Sequence, residues 1–173
     1  LAASWLLMSL EMPALSAVVA RLTDPEIHLA AYGGVVFPLA LIIESPIVML
    51  LPASTALSKD WPSYRKLWKF MMTASAALTA LHLLIALTPL YDAIVRGILG
   101  IPELIVEPAR LGLLIMIPWT WSIAYRRFHQ GVLIRFGHSR LVSIGTGIRL
   151  AADILVLLGG YLLGNVQGIV VAA

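Results

Sequence analysis

The sequence contains no cysteine, so no disulfide and no thiolate metal site can be part of this protein. Charge is scarce as well. Asp, Glu, Lys and Arg make up 12% of the 173 residues, against about a quarter in an average soluble domain. Signals of catalysis are missing too: there is no G-x-S-x-G elbow, no H-E-x-x-H and no P-loop. The histidines, His28, His82, His129 and His138, are scattered without a helical ligand spacing, and the last two sit among arginines, where metal affinity is poor. No basic stretch precedes the first apolar run, so no signal peptide is expected. The chain begins at Leu1 and stops at Ala173 inside an apolar run, as expected of a fragment cut at both ends.

What is present is hydrocarbon. Hydrophobic residues make up 60% of the chain, and its mean hydropathy is +0.94. One small core cannot hide that much apolar surface. Lipid removes the problem, and the length is then better counted in spans of about 20 residues. Apolar segments run over residues 2–19, 29–57, 67–90, 104–125, 141–163 and from 168 to the end. Runs this long without alternation do not fit barrel strands of about ten residues, and helices satisfy their own backbone in lipid. The expected fold is therefore all-α: a polytopic transmembrane bundle of about six spans, forming a single transmembrane domain over residues 1–173.

The net charge of +3 reads as topology rather than nucleic-acid binding. Eight of the twelve basic residues fall in two links: Lys59, Arg65, Lys66 and Lys69, then Arg126, Arg127, Arg135 and Arg140. The alternate links carry Asp24 and Glu26, then Asp92 and Glu103. The positive-inside rule puts the basic links, and with them the N-terminus, in the cytoplasm of a multi-pass cell-membrane protein.

Charges inside the apolar segments are the functional candidates, because each costs about 2.5–3.5 kcal/mol near the bilayer centre. Glu11 lies mid-segment beside Pro13, and Glu44 lies beside Ser45 and Pro46. Each reads either as a proton- or cation-coupling carboxylate or as a protonated acid that only ties helices together. Arg149 and Asp153, four residues apart, share one helical face. They read as an internal neutralising pair or as a gate that releases Arg149 to Glu11 or Glu44 in another state. Glu107 and Arg110, near the outer end of the fourth segment, either line a vestibule or sit at the interface. Gln130 and its neighbouring arginines read as cytoplasmic-face or headgroup contacts. His82 reads as a packed histidine.

Three stretches carry a family resemblance: Ser9-Leu10-Glu11-Met12-Pro13, Leu29-Ala30-Ala31-Tyr32-Gly33, and Arg127-Phe128-His129-Gln130-Gly131-Val132-Leu133-Ile134 followed by residues 145–149. Together they resemble the N-terminal six-helix lobe of the multidrug/oligosaccharidyl-lipid/polysaccharide flippase superfamily. That superfamily includes the MATE exporters and a progressive ankylosis-like branch. The resemblance implies two six-helix lobes that rock to alternate access and export organic solutes on a proton or sodium gradient. Glu11 then occupies the place of the first-helix acid, although several branches carry aspartate there. It also implies, as partners, the bilayer, a small organic or anionic solute, and either a second lobe or a second copy of this chain. No cofactor beyond the coupling ion is implied. On these grounds the expected function is ion-coupled transport rather than enzymology. The rivals are a non-transporting membrane subunit locked by the same charges and an intramembrane lipid enzyme.

Overall fold

A computed structural model describes residues 9–163 and 166–173. Among them the chain is helical, with no strand. Helix α1 covers Glu11–Val19. The first part of the apolar segment that contains it, residues 1–8, lies outside the described residues. Asp24, in the left-handed region at φ 47°, turns the chain, and Pro25 opens helix α2, which runs over Pro25–Leu57.

α2 is helical throughout but not uniformly wound. A π-helical turn occupies Tyr32–Val36, where Gly33 and Gly34 sit, and a 3-10 turn occupies Ser45–Met49. The second irregularity has a local cause. Pro46 has no N–H to offer the Ile42 carbonyl four residues back. That carbonyl accepts instead from the amide and, at 2.9 Å, the hydroxyl of Ser45. Winding tightens directly after Glu44 as a result.

Helix α3 covers Trp61–Leu87. Asp60 caps it, accepting from the Ser63 amide at 2.8 Å, and that bond holds the Asp60 carboxyl below its ordinary pKa. Helix α4, Leu90–Asp92, winds into a π-helical turn at Ala93–Ile98. Helices α5, Glu103–Ile115, and α6, Ile117–Arg135, meet at a 43° bend. The Leu113 carbonyl, in the last turn before that bend, accepts from Nε2 of fully buried His82 at 2.9 Å. Helix α7 covers Ser139–Leu163 and α8 covers Gly168–Ala172.

Helices α2, α3 and α7 are each long and apolar enough to cross a membrane, and the bent pair α5–α6 makes a fourth candidate if it counts as one span. Three or four spans are thus seen among the described residues, and the expected six are not confirmed. In its described part α1 has 9 residues, and α8 has 5, both short of the roughly 20 that a crossing needs. The basic link expected over residues 126–140 also contracts. Helix α6 continues through Arg126 and Arg127 to Arg135, and the chain turns only at residues 136–138, where Gly137 takes φ 78°.

The end of α2 lies tight against α6, and the contact needs a glycine. A Cβ on Gly131 would lie 1.9 Å from the Ser54 hydroxyl and 2.4 Å from the Leu51 carbonyl oxygen. Thr55 donates across the same contact to the Gly131 carbonyl at 3.2 Å. Since Thr55 and Gly131 each lie one or two turns before a chain reversal, this contact brings the turns at 58–60 and 136–138 to one end of the bundle. Ile47, Leu50, Met71, Ile123, Ala124 and Phe128 fill the core at that end. A larger core, including Val19, Val35, Val36, Val106, Leu113 and Ile169, joins α1, α2, α5 and α8. Trp119 and Leu78 border both. The outer surface stays apolar: Ile42, Leu155 and Leu162 are 68%, 69% and 81% exposed, a surface suited to acyl chains and costly in water.

Candidate functional site

Each helix around the main cavity contributes one stripe at helical spacing. On α2 the stripe is Phe37, Leu41, Glu44 and Val48; on α6 it is Trp119, Ile123, Arg126 and Arg127; on α7 it is Arg149, Asp153, Val156 and Leu157. Residues three, four and seven apart share a face, so the three stripes can front one space. Glu11 and Met12 from the start of α1, Tyr32 from the π-helical turn and the last residues of α8 complete the wall. The cavity volume is about 400 Å3, within the range of small-molecule sites.

Glu11, Glu44, Arg149 and Asp153, scattered through the sequence, all line this cavity. Arg149 is the hub. Its Nη1 and Nη2 donate to Oε1 and Oε2 of Glu11 at 2.7 and 2.5 Å, a two-pronged fork, and Nη1 also donates to Oδ2 of Asp153 at 2.9 Å. Such forks fix geometry as well as energy, because the guanidinium plane matches the carboxylate plane. The pair joins positions 138 apart in sequence and ties α1 to α7. It remains partly open to the cavity, with Arg149 and Glu11 side chains 22% and 27% exposed.

Glu44 is different. It is buried, 5% exposed, and its Oε2 has no hydrogen-bond partner among the described residues. Arg126 and Arg127 also face the cavity from α6, and among the described residues neither has a carboxylate oxygen within ion-pair distance. Their Nε atoms, like that of Arg149, are buried and have no hydrogen-bond partner among the described residues. The two arginines are the members of this site that sequence reasoning missed. Reading them as part of a link hid the fact that Trp119, Ile123 and Arg126 continue one helical face.

The remaining candidates lie elsewhere. Arg110 does not meet Glu107: it donates to Oδ2 of Asp92 at 2.6 Å and stacks 4.6 Å over the Tyr91 ring. Glu107 lines a second cavity, of about 550 Å3, with Thr23, Asp24, His28 and Gln167. Gln130 is half-buried on α6 and lines neither cavity. Among the described residues no three His, Asp or Glu side chains come together as metal ligands.

No family model, no curated protein and no solved structure matches this chain.

Proposed function

We propose that this chain is a helical lobe of a secondary active membrane transporter, an ion-coupled exporter or flippase of an organic solute, and that it carries no catalytic centre. One observation supports this reading above the others: Arg149 is shared between Glu11 and Asp153 at the rim of a cavity between helices that are long and apolar enough to span a bilayer. Ionisable groups at membrane depth that face a cavity mark substrate and proton paths.

The arrangement gives Glu11 a specific task. When ionised it holds α1 against α7 through Arg149. On protonation it loses its charge, Arg149 keeps Asp153, and α1 is released from α7. A proton suits this exchange better than a metal cation. The guanidinium already neutralises these carboxylates, and a metal ion would have to displace it. The resemblance to the MATE-containing superfamily fits a first-helix acid in that role, with a second lobe or second copy closing the cleft. The clustering of the 58–60 and 136–138 turns at one end supports a cytoplasmic placement of that end, since Lys59 lies in the first turn, Arg135 and Arg140 flank the second, and Arg65 and Lys66 lie one or two turns away.

The test is proton-driven flux of organic solutes in vesicles containing the intact protein, comparing wild type with Glu11→Gln. Loss of flux with unchanged folding supports coupling through Glu11. Unchanged flux removes Glu11 from the mechanism, and absence of flux in the wild type favours a structural subunit whose charges only join helices.

A further inference from the structure

Arg149 has two carboxylates; Arg126 and Arg127 have none within ion-pair distance among the described residues. From that imbalance we infer that the cavity binds an organic anion with an apolar body, its acidic oxygens accepting hydrogen bonds from Arg126 and Arg127. This deepens the transporter reading and rests on it for the word substrate, but the binding site stands on its own geometry.

The charges divide by helix. Glu11, Asp153 and Arg149, on α1 and α7, sum to minus one when all are ionised. Glu44, Arg126 and Arg127, on α2 and α6, sum to plus one, and to plus two if Glu44 holds a proton. Carboxylates of the first set are occupied by their own arginine. In the second set, the two adjacent guanidiniums face the cavity with no carboxylate oxygen within ion-pair distance among the described residues. Half-buried guanidiniums with no carboxylate oxygen at ion-pair distance offer several donors to the cavity, and a ligand with two or three acidic oxygens takes several of them at once. A carboxylate, sulfonate or phosphate ester has that geometry, whereas an ammonium group would be repelled by both arginines.

The rest of the wall describes the ligand's other end. Phe37, Leu41, Val48, Ile123, Val156 and Val170 line the same space, so the body is apolar and lies along α2 and α7. At about 400 Å3 the cavity holds a body of drug size rather than a bare oxyanion. An anionic lipid and a soluble organic anion share this chemistry.

Calorimetric titration of the intact protein in phosphatidylcholine nanodiscs tests the inference with decyl phosphate, decyltrimethylammonium and inorganic phosphate as probes. Decyl phosphate should bind more tightly than either of the others. Its affinity should fall about tenfold or more in Arg126→Gln/Arg127→Gln, the loss expected for charge-assisted hydrogen bonds. If that variant does not fold, Arg126→Lys/Arg127→Lys, which keeps charge but loses the fork, should still bind, and more weakly. Nanodiscs doped with phosphatidylglycerol separate the sources: competition with decyl phosphate marks a lipid headgroup, and undiminished binding marks a soluble anion. Equal or tighter binding of decyltrimethylammonium, no binding of decyl phosphate, or unchanged affinity in the arginine variants overturns the inference. Binding without proton-driven flux would remove the transporter reading and leave the site, while flux of cations alone would do the reverse.

Discussion

The described residues form two ion-pair networks, and they differ in what they connect. At the α4–α5 connection Asp92, Arg96, Glu103 and Arg110 pair with one another over 18 residues of chain, at 2.6 to 3.2 Å. Two acids meet two bases, Arg110 rests on Tyr91, and the Tyr91 hydroxyl donates to the Val106 carbonyl at 2.6 Å. That network closes on itself and clips one connection together. Around the cavity, Glu11, Arg149 and Asp153 join helices from opposite ends of the sequence, and two further arginines face the same space with no carboxylate oxygen within ion-pair distance among the described residues. Neutralised, local charge reads as structure. Charge that is held non-locally and left partly uncompensated beside a cavity reads as function.

The contrast can be broken by substitution. Arg149→Gln should have the largest effect. It leaves Glu11 and Asp153 facing each other without their cation, costing about 2 kcal/mol in thermal unfolding, less than the roughly 3 kcal/mol of a fully buried pair because the side chains are partly open, and abolishing flux. A loss as small as that of a surface pair would reduce the hub to an ornament. Arg110→Gln, in the local network, should cost about 1 kcal/mol or less because its partner Asp92 is one-third exposed. Flux should not change; a transport defect there would erase the distinction between the two networks. Glu44→Gln sharpens the comparison from the other side. Removing an acid that no arginine clamps should leave unfolding nearly unchanged and tighten binding of an anionic probe a few-fold, whereas weaker binding would make Glu44 a ligand contact. Asp60→Ala should do least, fraying only the first turn of α3. Hydrogen exchange at the Ser63 amide reads this directly. Because the folded carboxyl titrates below its ordinary value, wild-type protection should hold above that value and fade as the pH falls through the lowered one.

How much of this was legible in the sequence follows from what hydropathy can see. Glu11, Glu44, Arg149 and Asp153 each interrupt an apolar run, so a linear reading finds them, and the four-residue spacing of Arg149 and Asp153 gives their pairing. The Glu11–Arg149 fork depends on which helices become neighbours, and no local pattern carries that. Arg126 and Arg127 were misplaced because a run of basic residues was read as a topological signal, while the helical period through Trp119 and Ile123 went uncounted. Three or four of the six expected spans are seen, for a related reason. Apolar content measures what lipid tolerates, and it is blind to a 43° bend between α5 and α6 or to how far a short helix extends.

The central claim is that the embedded charges front a space reached by water rather than by acyl chains. With no cysteine in this sequence, it can be tested by one thiol at a time. Val48 lines the cavity, and Ile42, on the same helix, faces outward, 68% exposed. In native membranes a water-soluble, membrane-impermeant methanethiosulfonate reagent should label Val48→Cys, with anionic amphiphile slowing the reaction, and should leave Ile42→Cys unmodified. Labelling of Ile42→Cys alone would contradict the account.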